Sequence, residues 1–398
     1  MQKLHSWGLG DPAEVLPIAD LLMSVVARTA EIDALLSRDA VVAIGVSGGK
    51  DSDACALATA AYLDQLGHRG PRLLIHADLG SVEWEQSLPK CQELASAIGW
   101  ELAVVRREAG GMMERWEGRW DNNVRRYADL SCVKLILPWS TPSMRFCTSE
   151  LKSAVIASYL KKRFPGRDII NVTGIRRQES SSRSKMPVSK VDTRLSRRGL
   201  QGLVWNSIIE WTLPEVLGEI AGHGRELHEA YTRYGMSRVS CSFCIMASKP
   251  DLIASAACAS NQDTYRRMVA LEARSSFSFQ SGAWLGDIAP HLLDHKALAR
   301  IRNAKEVCRI RESAEATIPR HLHYVSGWPT CIPTAHEAEL LAGVRLTVAR
   351  SLKLDVACTT GSEVRARYAE LYAAKPDQIV DAPVHLIHPA ASQIAFEF

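Results

Sequence analysis

The sequence predicts an α/β protein: a doubly wound, mostly parallel sheet followed by a helical C-terminal region. Three observations carry that prediction. Short apolar runs at Val41–Val46, Arg72–His76, Glu101–Val105 and Asp168–Thr173 alternate with helix-forming stretches, and strands joined by crossover helices pair in parallel with right-handed connections. The first run opens directly into Ser47-Gly48-Gly49-Lys50-Asp51-Ser52 and a helical stretch over 53–66. That strand, glycine turn and helix start is where the carboxyl edge of such a sheet receives a ligand. Beyond residue 249 the apolar spacing is helical.

Taken in order, apolar positions from Ala13 to Leu36 predict one or two leading helices. After the first strand and its helix, 67–71 is a turn before the strand ending in His76-Ala77-Asp78-Leu79-Gly80. Helices are expected over 84–98, 110–130 and 149–163, with the strand 168–173 ending at Gly174. Residues 176–198 hold eight Lys/Arg against two acids and read as a mobile basic loop facing substrate, or as a plain solvated loop. Thr212 with Pro214 and Glu215 is a helix start, and a further helix is expected over 224–234. A cysteine loop occupies 238–248. Helices over 249–275, 293–316, 335–352 and 362–374 follow, with Pro and Gly between 319 and 333 marking a linker. The expected division is a helical segment 1–38, a nucleotide domain 39–248 and a helical region 249–398.

Bulk properties narrow the class. The chain has 398 residues, 46% hydrophobic and 23% charged, with a net charge of +4. These values are ordinary for a soluble enzyme and neither demand nor exclude nucleic acid. No basic leader, cleavage pattern or apolar run of about 18 residues occurs, so a cytoplasmic protein without a membrane partner is expected. Ten cysteines in such a setting are not a disulfide framework. Only clustered ones call for chemistry. Cys55, Cys91, Cys132, Cys308, Cys331 and Cys358 read as core or surface thiols.

The opening motif suits phosphate. A helix N-terminus presents N–H donors and partial positive charge, and Gly48 and Gly49 let the backbone approach an anion. Lys50 adds charge; Ser47 and Ser52 add hydroxyls. It is not a Walker loop, whose glycines stand four residues apart before Lys-Ser/Thr. Asp78, at a strand end, can accept from a hydroxyl or help place a metal. Arg145, Cys147 and Lys152 put a thiol beside cations, which favours thiolate chemistry or metal ligation. Gly174 with Arg176, Arg177, Glu179 and Arg183 places guanidinium forks at a strand's carboxyl end, with Glu179 to orient them. Cys241-Ser-Phe-Cys244 can hold a metal, an iron–sulfur cluster or a redox disulfide. Cys147 and Cys258 are the further candidate ligands. If only three thiols converge, a cluster with one open iron becomes the attractive form.

Ser47–Ser52 resembles the PP-loop of the ATP pyrophosphatases, which cleave ATP between the α- and β-phosphates. With His76–Gly80, Arg145–Thr148 plus Leu151-Lys152, and Gly174–Arg183, residues 41–248 resemble the adenylyl and phosphoadenylyl sulfate (PAPS) reductase-like branch. Within it they are most similar to enzymes of DNA phosphorothioation. The resemblance implies an adenine nucleotide alpha hydrolase-like fold. It implies ATP and Mg²⁺ at Ser47, Gly48, Gly49, Lys50, Asp51, Ser52, His76, Asp78, Gly174, Arg177, Glu179 and Arg183, and catalytic roles for Lys50, Asp51, Arg145, Cys147 and Arg176. A [4Fe–4S] cluster is implied at Cys147, Cys241, Cys244 and Cys258, with zinc as the alternative. Implied partners are nucleic acid, DNA ahead of tRNA, and a sulfur donor such as a cysteine desulfurase; a homo-oligomer is compatible. The implied activity adenylates a backbone phosphate so that sulfur can displace AMP. The alternatives are an adenylyl or PAPS reductase, whose Glu-Cys-Gly-Leu-His tail is not found here, a tRNA thiolation enzyme, and a nucleotide-sensing module.

Overall fold

The computed structural model describes residues 26–375. The one or two leading helices expected over Ala13–Leu36 lie partly outside the described residues; within them, α1 spans Ala30–Leu36. β1, Val41–Gly45, is a run of small and β-branched residues buried over its first four positions. It feeds α2, Lys50–Gln65, which is buried on most sides because it is rich in alanine. β2 (Arg72–Asp78), α3 (Ser87–Ile98), β3 (Glu101–Arg106) and α4 (Met112–Ala128) follow as expected.

The helix expected over 149–163 is built in three pieces. A short turn α5 (Phe146–Thr148) leads through a π-helical turn at Ser149–Ser153 into α6, Ala154–Arg163. β4 is Ile169–Thr173. The basic segment 176–198 is more structured than a plain loop: two 3-10 turns precede β5, Ser189–Val191, which pairs antiparallel with β6, Gly202–Trp205. A charged edge strand is a normal way to protect a sheet edge, and its polarity hid it in the sequence. The capping box of Thr212 and Glu215 starts α7, Leu213–Gly222. Only α8, Glu229–Thr232, forms in the region where 224–234 predicted a helix, after Gly224 turns left-handed.

The predicted helix 249–275 is two helices, α9 (Lys249–Ala257) and α10 (Gln262–Ser275). Between them Asn261 donates to the Ser255 carbonyl at 3.1 Å in place of helix bonds. α11 (His295–Ala316), α12 (Ala335–Leu352) and α13 (Gly361–Ala373) match the sequence pattern. The stretch 319–333 is packed rather than a linker: Leu322 is fully buried and its carbonyl accepts from Tyr368 Oη at 2.8 Å.

The sheet order is β3-β2-β1-β4-β6-β5. β1 pairs in parallel with β2 and β4, and β4 with β6. The chain winds outward from β1 in both directions, so β1 borders the topological switch point, where a doubly wound sheet binds its ligand. The fold is the mostly parallel α/β architecture predicted, with a helical C-terminal region. No helix among the described residues is long and apolar enough to cross a membrane.

The chain divides into two units, each entered more than once, where the sequence pattern had suggested a linear division. The first comprises residues up to His76, Leu88–Ala103 and Ala157–His228; the second comprises Ala77–Ser87, Val104–Ile156 and residues from Glu229 on. No change of composition marks these crossings. The core of the first gathers Ile44, Leu57, Leu74, Val172, Trp205 and Ile220 around the sheet. In the second, Trp116, Trp139, Tyr265, Leu341 and Tyr368 pack together. Two buried charges tie that core: Glu272 accepts the N–H groups of Phe279, Leu285 and Gly286, and Arg345 donates to the carbonyls of Tyr127, Ala128 and Ala357.

Candidate nucleotide site and thiol group

In the first unit, β1 ends and the backbone turns through Gly48 at φ +73°, a conformation that costs a residue with a Cβ. Gly49 is the N-cap of α2, and no side chain caps that helix end. The serine hydroxyls close the loop on itself. Ser52 Oγ donates to the Gly49 carbonyl at 2.8 Å and accepts from Ser47 N–H at 3.2 Å. Gly174, at the end of β4, is packed against the first turn of α2. A Cβ there would stand 2.4 Å from the Asp51 carbonyl oxygen and 3.0 Å from Cys55 Cβ. The glycine is required by that close approach.

Asp51 holds two cations at the loop. Lys50 Nζ lies 3.0 Å from one carboxylate oxygen, and Arg176 Nε donates to the other at 2.6 Å. Arg176 is only 5% exposed, so its charge depends on Asp51. Glu179 accepts from the Arg176 backbone N–H at 2.7 Å and pairs with Arg183. Arg177 turns elsewhere: Nε meets both Glu210 oxygens at 2.9 Å, and its Nη1 donates to the carbonyls of Ser184 and Met186. Arg176, expected to be catalytic, reaches the Ser47–Ser52 loop through Asp51, whereas Arg177, Glu179 and Arg183, expected at the nucleotide, brace the segment that carries it. His76 is likewise internal. It is 1% exposed, and its Nδ1 donates to the Val46 carbonyl at 3.0 Å, fixing the backbone that enters the loop.

One pair beside the motif has no sequence signal. Asp53, in the first turn of α2, faces Arg225 at 3.1 Å, both nearly fully buried. Burial pushes the Asp53 carboxyl up to about 6, against the pull of Arg225. Asp53 Oδ1 and Arg225 Nε have no hydrogen-bond partner. His228, also buried, is pushed down to about 4 by burial and then by Lys90.

The second unit holds the other predicted residues. Asp78 Oδ1 accepts from Gly80 N–H at 2.6 Å, and its other oxygen lies 3.6 Å from Arg106. Arg145 is the residue before α5, and Lys152 sits in the π-helical turn, a deformation that often marks functional sites. The Cys241–Cys244 loop is anchored by its middle. Ser242 N–H and Oγ both donate to the Val82 carbonyl, at 2.7 and 2.9 Å, while Phe243 is buried against Tyr265. The two cysteines are left half-buried. The Cys241 thiol is raised well above its ordinary value by burial first, then by Cys244, with Cys147 and Glu83 adding and Lys152 opposing. Cys147, Cys241 and Cys244 all border the apolar core of the second unit.

Cys258 does not join them. It ends α9, 3.2 Å from Ser260 Oγ, and packs with Trp84, Ala230 and Met236. Among the described residues no group of three or more His, Cys, Asp or Glu stands in metal-holding geometry. Of the four cysteines implied as ligands, Cys147, Cys241 and Cys244 border one core and Cys258 packs in another cluster. Cys55 and Cys91 are buried in the core of the first unit, as expected of structural thiols.

Residues 41–247 match the model of the phosphoadenosine phosphosulfate reductase domain. The chain belongs to this family. Two solved structures are similar at 14% identity and a TM-score of 0.33. Phosphoadenylyl-sulfate (PAPS) reductase from Candida auris, in its phosphate complex, matches over 50% of this chain and 80% of its own. Candida glabrata FMN adenylyltransferase, in complex with FMN and the ATP analog AMPCPP, matches over 55% and 68%. No curated protein matches the chain.

Proposed function

We propose that this PAPS reductase-family protein is an ATP pyrophosphatase that adenylates a phosphate oxygen of a DNA backbone, preparing that position for sulfur. The observation that supports it most is the intact Ser47–Ser52 loop with Lys50 and Arg176 both held by Asp51. In this reading MgATP is the substrate. Its β- and γ-phosphates lie against the loop backbone and the start of α2, where N–H donors and two cations favour the pyrophosphate that leaves. Asp51 keeps Lys50 and Arg176 in place and offsets their mutual repulsion before the phosphates arrive. The acceptor oxygen attacks the α-phosphorus, the bond to the bridging α–β oxygen breaks, and pyrophosphate departs with that electron pair. AMP is then the leaving group for sulfur, supplied by a separate donor such as a cysteine desulfurase.

The family resemblance, rather than the geometry, points to Cys147, Cys241 and Cys244 as residues that would hold an iron–sulfur cluster or zinc, and such a centre would supply a place for sulfur to bind. Iron and zinc counts on anaerobically purified protein, compared with Cys241→Ser, test this independently of turnover. The activity itself is tested by pyrophosphate release from ATP with and without DNA. Release that needs DNA and is lost in Lys50→Ala supports the proposal; release that survives Lys50→Ala overturns it. The family match also favours a second reading, reduction of an adenylyl sulfate, for which sulfite release with thioredoxin is the test.

A further inference from the structure

α4 carries an arginine-lined cavity of about 550 Å³ in the second unit, none of whose lining residues is assigned to nucleotide or sulfur. One face of this helix is apolar, with Met112, Met113, Trp116, Trp120 and Tyr127 buried. The opposite face places Arg115, Arg119 and Arg126 at helical spacing, and Arg107 and Arg125 complete the lining. Only two carboxylates, Glu114 and Glu150, share it. Both are already engaged: Glu114 with Arg267, and Glu150 through a bidentate pair with Arg115 at 2.7 and 3.0 Å. Glu150 is held below the usual carboxylate range by that pair, with Arg107 and Arg119 adding to it, so three guanidinium groups crowd a single acid. The positive charge on this face is in excess.

Two arginines are pre-set. Arg115 and Arg119 stack on Phe146 at 4.6 and 5.3 Å, and Arg119 Nε donates to the Leu137 carbonyl. Among the described residues no carboxylate pairs with Arg107 or Arg125: Arg107 makes one long contact to the Ala109 carbonyl at 3.4 Å, and Arg125 is exposed. From Arg115 to Arg126 the helix runs about 16 Å, longer than one phosphate or pyrophosphate. A duplex strand presents a charge about every 3.4 Å over such a length. No aromatic side chain lines the cavity, so it lacks the stacking platform that single-stranded binding uses. The polar lining also lacks the apolar wall that grips a small ligand.

We infer that the arginine face of α4 is a docking surface for the phosphodiester backbone of double-stranded DNA. This deepens the reading of DNA as acceptor and rests on it for the choice of polyanion. The contacts are to phosphate, so binding is insensitive to base sequence and steeply salt-dependent. Four arginines outside the Glu150 pair give a slope of log K against log salt near about −3.6.

The experiment measures binding of a fluorescent 20-base-pair duplex to the full chain, without ATP, across salt concentrations. The test variant is Arg107→Gln with Arg125→Gln; the control, Arg300→Gln with Arg302→Gln on α11, makes the same change in net charge. Both must keep the wild-type melting temperature, which their exposed or lightly bonded side chains permit; if the test pair does not, Arg125→Glu alone replaces it. The expected result is at least a tenfold loss of affinity near 0.1 M salt and a slope shallower by about 1.8 in the test variant only. Equal weakening in both variants would reduce the effect to net charge and overturn the proposal. So would undiminished binding, tighter binding of a single strand, or displacement by micromolar inorganic triphosphate. Because no ATP is present, loss of binding in the test variant supports this surface even if DNA-dependent pyrophosphate release is never seen. Pyrophosphate release with unchanged binding sinks the surface and leaves the activity standing.

Discussion

Gly174→Ala is the most informative substitution in the first unit, because one methyl group tests the packing that positions the PP-loop. The added Cβ would lie 2.4 Å from the Asp51 carbonyl oxygen, 2.8 Å from its carbon and 3.0 Å from Cys55 Cβ. Two of those atoms are backbone, so a flexible side chain cannot relieve the clash. Either β4 or the first turn of α2 must move by most of an ångström. Overpacking of this kind costs about 1–3 kcal/mol, which lowers the melting temperature by about 4–8 °C for a central value near 2 kcal/mol. The same shift moves Asp51, and with it Lys50 and Arg176, so affinity for MgATP falls at least tenfold. Gly218→Ala is the matched control. It sits inside α7 with nothing within 4 Å of the new Cβ, and alanine is the better helix former by about 1 kcal/mol. Calorimetry and equilibrium nucleotide binding should move in opposite directions for stability, with only Gly174→Ala losing nucleotide. A Gly174→Ala protein with unchanged melting temperature and ATP affinity would refute the assignment of this glycine to the loop.

Further outcomes follow from other contacts. Arg176→Lys cannot reproduce the Nε contact to Asp51; it leaves Asp51 facing Lys50 alone and should cost several kcal/mol if the buried pair is simply broken, read as a denaturant midpoint and a loss of pyrophosphate release. Thr212→Ala removes the cap of α7 and should destabilise by about 1 kcal/mol in the same unfolding assay. Asp53 and His228 set opposite pH trends. The folded-state pKa of Asp53 is raised to about 6, so its contribution is present below the unfolded value near 3.8 and lost as pH rises through 6, on the order of 3 kcal/mol. The folded-state pKa of His228 is lowered to about 4, so its contribution is present above 6.5 and lost as pH falls through 4. The two partly cancel between pH 4 and 6. Asp53→Asn should therefore steepen the rise of stability with pH in that window, and a profile parallel to wild type would contradict the Asp53 assignment.

The parts of the fold most legible in sequence were those that local chemistry determines. An apolar run, a glycine turn and an alanine-rich helix specify β1, the loop and α2 before any tertiary contact is known. The helices from α11 to α13 announced themselves by period, and in the structure Thr334 and Thr360 cap two of them. Features set by distant contacts were not visible. β5 is polar because it is an edge strand, the helix over 249–275 breaks where Asn261 finds Ser255, and Leu322 is buried by α13. The site follows the same rule. Lys50, Asp51 and Gly174 are brought together by the loop and the end of β4, whereas Arg177 is engaged by Glu210 and His76 by the Val46 carbonyl. Cys258 met the spacing of a ligand, but its helix end directs it to Ser260 and Trp84 instead. The Asp53–Arg225 pair joins residues 172 apart in sequence, and neither carries a motif.

The proposed reaction is adenylyl transfer from ATP to DNA at the Ser47–Ser52 loop. ATP labelled at the α-phosphate, incubated with the purified protein, Mg²⁺ and duplex DNA, should yield AMP attached to DNA and one pyrophosphate per transfer. Neither product should form without DNA or in Lys50→Ala. Cleavage between the β- and γ-phosphates, or pyrophosphate release that is indifferent to both DNA and Lys50, would contradict it.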